Sequence, residues 1–238
     1  MRPTRTVRRP GWIRVNTMAA RLAIALIIGS ALYFLTRSSF LVLAPGLVLS
    51  GAVWEVFTYV FVASDPLSVI FGALVIWSIG GALEATWGPK RLFYVAFGIT
   101  VLAGAMTTLI ALVDPAMRAH LFFGAWVMGT IVWVAYGLSY GRGQTNFWGI
   151  PVSGNVFALI GIGFVVLRAF YLRDWRPVAP EVLGIALLIG YLKLGSPRIW
   201  LLRFQSWRLQ RQLRARSTHL RLIAKDRNTP RDSDRYLH

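Results

Sequence analysis

The run PLSVIFGALVIWSIGGAL, residues 66–83, carries no charge and stops only at Glu84. A helix needs about 20 mostly apolar residues to cross a hydrocarbon core of about 30 Å, so this stretch reads as a membrane span. Five further runs read the same way: Ala19–Leu35, Leu92–Val113, Ala119–Gly141, Val152–Leu167 and Pro180–Leu194. The fifth runs on to Tyr171, and the sixth holds Glu181 near its start and Lys193 near its end. Together they predict an all-α polytopic membrane protein with six spans.

Composition points the same way. Of the 238 residues, 56% are hydrophobic and only 15% are charged. Soluble domains sit near 25% charged and below about 50% apolar, so lipid is the solvent this chain is built for. Cysteine is absent, which excludes disulfides, thiolate-ligated zinc and thiol catalysis. The three histidines, His120, His219 and His238, are too few for a His-rich metal site, and no cofactor is expected. The net charge of +17 is concentrated at the flanks, with six of the 26 basic residues before Leu22 and eleven after Ser196. Such flanks set topology and attract an anionic inner leaflet at about 1 kcal/mol per residue, a reading preferred to nucleic-acid binding.

Phe40–Val53 is apolar but short, and Pro45-Gly46 interrupts it. Length and breaker favour a membrane-embedded loop over a seventh span. Parity agrees, because six spans put both basic ends on the cytoplasmic side as the positive-inside rule asks. The expected organisation is a basic cytoplasmic N-terminus over 1–18 and a membrane domain over 19–195. A basic amphipathic helix over 196–225 and a disordered polar tail over 226–238 follow. In the third segment Trp200, Phe204 and Trp207 share one helical face suited to the inner leaflet. The basic flanks, without transit-peptide features, suggest a bacterial inner membrane.

The second span closes on Gly80-Gly-Ala-Leu83-Glu84-Ala-Thr-Trp-Gly88-Pro-Lys-Arg91. Gly80 permits close helix approach, and Glu84 and Arg91 bracket a tight turn at Gly88. A carboxylate at the lipid edge is costly unless a donor or cation meets it, so Glu84 reads as a structural lock. Upstream, the aromatic segment Trp54-Glu-Val-Phe-Thr58-Tyr-Val-Phe61 suits a membrane interface.

These motifs resemble the rhomboid superfamily, whose second span ends in Gly-x-x-Leu-Glu-x-x-x-Gly-x-x-Arg. Gly80, Leu83, Glu84, Gly88 and Arg91 match it position by position, and the Trp54…Thr58…Phe61 spacing is similar to the segment before that span. Phe147-Trp-Gly-Ile-Pro151-Val resembles the start of the family's fifth span. The resemblance covers residues 18–195. It implies a six-helix rhomboid-like bundle with a membrane-embedded first loop, here followed by the C-terminal amphipathic helix.

The resemblance also implies where chemistry would lie. Rhomboid proteases use a Ser–His dyad, the Ser in a Gly-x-Ser-Gly motif opening the fourth span and the His in a His-x-x-Gly motif in the sixth. Here Gly124-Ala-Trp126-Val occupies the first motif, so Trp126 stands at the nucleophile position. Glu181-Val-Leu-Gly184 occupies the second, so Glu181 stands at the His position. Ser68 and Gly72 fall at the family's oxyanion-supporting His and Asn positions. An indole has no attacking oxygen and a dyad needs a hydroxyl beside a base, so all four positions read as lost.

The expectation is therefore a rhomboid-like pseudoprotease, not an enzyme, with the bilayer and transmembrane helices of other proteins as partners. One alternative is an active intramembrane serine protease using Ser68 with His120 or Glu181. Another is a small transporter or channel, against which stands the scarcity of charge inside the spans.

Overall fold

The computed structural model describes residues 17–147 and 150–194. The chain is the all-α polytopic membrane protein expected. Four helices among the described residues are long and apolar enough to cross a membrane: Met18–Thr36, Pro66–Trp87, Pro89–Ile110 and Gly154–Leu172. The first is α1 and the second α4. The third comprises α5 (Pro89–Phe93), one π-helical stretch at Tyr94–Gly98 and α6 (Ile99–Ile110). The fourth is α8, preceded by α7 (Gly124–Tyr140) and followed by α9 (Ala179–Leu194). At 1.5 Å per residue, the 17 residues of α7 and the 16 of α9 reach about 25 Å. The packed unit described here ends at Ile189, and a second unit begins at Gly190 and contributes helical residues up to Leu194. The amphipathic helix expected over 196–225, the tail over 226–238 and nearly all of the basic N-terminus lie outside the described residues.

Phe40–Val53 does not span. It folds as a 3-10 turn at Ser39–Leu41 and a short helix, α2 (Pro45–Leu49), before the equally short α3 (Glu55–Thr58). Pro45 sets the first turn of α2. Glu55 is buried, and its Oε2 accepts the Ala44 N–H at 2.9 Å, tying the loop's two halves together.

The segment after the loop is threaded into the bundle, and small residues make room for it. In lipid, helices associate through close packing more than through expulsion of water. A Cβ at Gly29 would stand 2.5 Å from the Phe61 carbonyl oxygen. One at Gly124 would stand 2.5 Å from the Val60 Cα, and one at Gly104 would stand 2.7 Å from the Tyr59 ring. Tyr59 is fully buried and donates its hydroxyl to the Thr100 carbonyl. The Ala63 N–H donates to Ser30 Oγ at 3.0 Å, and the Ala125 N–H to the Val62 carbonyl at 3.2 Å. The first loop thus pins α1, α6 and α7 from within.

Two spans start later than the sequence reading places them. The fourth span was expected from Ala119 but α7 starts at Gly124, because Phe122 pairs with Leu43 in an antiparallel bridge. That bridge exchanges two backbone hydrogen bonds, 3.1 and 2.8 Å long, which a helix through Phe122 would forfeit. The fifth span was expected from Val152 but α8 starts at Gly154. Val152 belongs instead to β2 (Ile150–Ser153), which pairs antiparallel with β1 (Gln144–Phe147). Gly137 and Gly154 let α7 and α8 approach backbone to backbone, a Cβ at either meeting the other's carbonyl oxygen within 2.6 Å.

Candidate functional site

The lock at the end of α4 comes first, since it fixes that helix. The Glu84 carboxylate accepts the N–H groups of Met18 and Ala19 at 3.0 and 2.9 Å. These are orphan donors of the first turn of α1, whose N-cap Thr17 takes a third, from Ala20 at 3.1 Å. Gly88 ends α4 at φ +80°, a conformation that favours glycine, and Pro89 opens α5 directly after it. Leu83 is fully buried, Gly80 packs against Ala19 and Val132, and the Arg91 guanidinium lies 4.2 Å above the Trp87 ring. In the upstream motif, Trp54 is half exposed and stacks on Phe40, while the Thr58 hydroxyl lies 3.3 Å from the Trp54 carbonyl.

At the other end of α4, Asp65 caps the helix by accepting the Ser68 N–H at 2.9 Å. Burial pushes the Asp65 carboxyl up, but hydrogen bonds from Ser68 and Ser64 outweigh it and hold the group below its usual range. The Ser68 hydroxyl donates to Asp65 and accepts the Trp126 indole N–H at 2.8 Å. Trp126 is the third residue of α7, held at this depth by the Gly124 approach to the first loop. Its ring lies 5.7 Å from the guanidinium carbon of Arg168 on α8. Arg168 in turn donates through Nη1 to Glu181 in the first turn of α9, and that carboxylate side chain is only 4% exposed.

These groups sit at one end of a cleft of about 610 Å³. Its floor is α7, through Ala125, Trp126, Gly129 and Trp133, and its walls are α4 and α8, through Phe71, Gly72, Val75, Gly161, Phe164 and Arg168. A Cβ on Gly72 would meet Leu26 at 3.2 Å and Ala125 at 3.6 Å. The lining is almost wholly apolar, apart from the Arg168–Glu181 pair, the indole N–H and the hydroxyls of Thr130 and Tyr171. Ser68, Gly72, Trp126 and Glu181, dispersed over more than a hundred residues of sequence, are therefore neighbours in space.

His120 stands elsewhere. It lies 3.8 Å from Asp174, in a loop network where Arg176 reaches Asp114 at 2.8 Å and Asp174 at 3.6 Å. The hydrogen bond from Arg176 holds the Asp114 carboxyl below its usual range. The dyad of Ser68 with His120, weighed from sequence, is not formed in this geometry, since the serine hydroxyl is engaged by Asp65 and Trp126. Among the described residues, no group of three His, Cys, Asp or Glu could hold a metal ion.

Arg168 is the site residue the sequence reading missed. Its signal was a single cation breaking the apolar run between Phe164 and Tyr171, and an ionisable residue inside a span marks a site by default.

Residues 20–139 match the family described as "Eukaryotic integral membrane protein (DUF1751)". That match covers half of the chain and takes in α1, the first loop, α4 and most of α7, so the chain belongs to this integral membrane family. The expectation of a bacterial inner membrane is corrected by the same match, because the family is eukaryotic. Basic flanks and the lack of a transit peptide report on membrane insertion in general and do not separate one kind of cell from another.

Proposed function

We propose that this chain is a rhomboid-like pseudoprotease that binds or retains transmembrane helices of other membrane proteins without cleaving them. The observation that carries the reading is the convergence of Gly72, Trp126 and Glu181 on one cleft, with Ser68 hydrogen-bonded to Trp126 beside it. These are the four positions at which the resemblance would place catalytic groups. At the nucleophile position the Trp126 indole donates to Ser68, whose own proton goes to Asp65, so this hydroxyl is held by two structural partners and faces no base that would activate it toward a substrate. At the base position Glu181 is neutralised by Arg168. A nucleophile needs a base within hydrogen-bond reach, and here the Ser68 hydroxyl and the Glu181 carboxylate are each engaged by a structural partner.

What remains is a recognition surface. The cleft lies between α4 and α8 and offers apolar and aromatic walls, against which small or branched side chains of a foreign helix can pack. One test has two arms. A fluorophosphonate probe should leave the full-length wild type unlabelled, and a photo-reactive residue at position 126 should capture a helix of another membrane protein. A labelled serine that disappears in Ser68→Ala would overturn the pseudoprotease reading in favour of an active intramembrane protease.

A further inference from the structure

The cleft has the dimensions and polarity of a site for one lipid chain. Its volume of about 610 Å³ lies in the range of small-molecule pockets, roughly 300–1,000 Å³. On α4 it extends from Leu67 to Val75, and on α8 from Gly161 to Tyr171, which at 1.5 Å per residue is about 12–15 Å. That is about half of a hydrocarbon core of about 30 Å, the depth of one leaflet.

The polar end matches a headgroup. Arg168 lies four residues before the end of α8, about 6 Å along the axis, near the level where a span leaves the hydrocarbon. Its side chain is 33% exposed while that of its partner Glu181 is 4% exposed. A guanidinium carries five N–H donors. Nη1 serves Glu181, and no acceptor among the described residues meets Nε or Nη2. Glu181 and the Trp126 ring hold the group on two sides, and it faces a cleft whose lining is almost wholly apolar. Arginine binds phosphate well in this setting, since its fork of donors pairs two oxygens at once.

We propose that the cleft holds a glycerophospholipid, its phosphate on Arg168 and one acyl chain between Phe71 and Phe164. A client helix would have to displace it, so this occupant goes beyond the retention of helices and is tested without any client.

The test uses the full-length chain reconstituted in phosphatidylcholine vesicles that contain a phosphatidylcholine with a photo-reactive acyl chain. In the wild type, adducts should concentrate on the peptides bearing Phe71 and Phe164 relative to Leu102 and Leu109, which are exposed on α6. A Cβ at Gly129 meets open space, so Gly129→Leu should plug the cleft while leaving the packing intact. It should abolish the cleft adducts and leave those on α6 unchanged. Removing the charged pair together, by Arg168→Gln with Glu181→Gln, should lower cleft labelling about tenfold, the loss of one charge-assisted hydrogen bond. Equal labelling of cleft and outer surface, or cleft labelling that survives Gly129→Leu, overturns the proposal. Polypeptide adducts without lipid adducts at a photo-reactive residue in position 164 in native membranes would also overturn it, and would assign the cleft to a helix.

Discussion

Replacing Glu84 by alanine strips two acceptors from the first turn of α1, the oxygens that take Met18 and Ala19 N–H groups at 3.0 and 2.9 Å. Hydrogen bonds to charged groups contribute about 1.5–3 kcal/mol each, and loss of a cap costs about 0.5–2 kcal/mol. Glu84 is half-buried, so water can replace part of what is lost, and Thr17 still caps Ala20. Discounting the two bonds together by about a third for that exposure gives about 2–4 kcal/mol in all. For a chain of this size each kcal/mol shifts Tm by about 2–4 °C, so Glu84→Ala should lower Tm by about 4–16 °C. Glu84→Gln keeps one carbonyl oxygen and should show about half of that loss. Thermal unfolding of the full-length protein in detergent gives the shift, and hydrogen exchange should report faster exchange confined to the start of α1. A Glu84→Ala protein whose Tm matches the wild type, or one no worse than Glu84→Gln, refutes the carboxylate as the cap of α1.

Other substitutions probe separate parts of the structure. Gly104→Ala should be destabilising although alanine is the better helix former, because its Cβ would meet the Tyr59 ring at 2.7 Å; a rise in Tm would refute that packing. Arg168→Leu alone should cost about 3–5 kcal/mol by leaving Glu181 buried and unpaired, whereas Arg168→Leu with Glu181→Leu should recover most of it, as chemical denaturation of all three proteins would show. The Asp114–Arg176 pair should respond to pH in one direction. Asp114 binds its proton less readily folded than unfolded, so the pair's contribution is complete above the ordinary aspartate value of about 3.9 and is lost as pH falls through the lower folded value. Spin-label distances between the two loops should hold steady from neutral pH down through mild acid and lengthen only below that range, and Asp114→Asn should abolish the transition.

Span positions were legible because a hydrocarbon core imposes one length and one polarity on every helix that crosses it. The run at 66–83 became α4, and the short apolar stretch broken by Pro45 became loop helices. Boundaries failed where a non-local pairing outweighed local hydrophobicity. Phe122 is apolar enough to continue a helix, yet its backbone bonds to Leu43, a partner in another loop. Val152 likewise was claimed by a strand. In the site, Ser68, Gly72, Trp126 and Glu181 were named from motif spacing, but the partners that hold Ser68, Trp126 and Glu181 were not readable. The Trp126–Ser68 bond spans 58 positions, and no local pattern encodes it. Glu84 was readable as a lock, though not as the cap of α1.

That cap has a consequence for how the chain is made. Met18 and Glu84 are 66 positions apart. Synthesis at about 5–20 residues per second separates their emergence by roughly 3–13 s. During that wait Thr17 already caps Ala20, but the Met18 and Ala19 amides lack their native acceptors until the far end of the second helix arrives. The start of the first helix is thus completed only by the end of the second. A chain stalled between them would hold an unfinished first span, a recognisable target for the machinery that attends newly made membrane proteins.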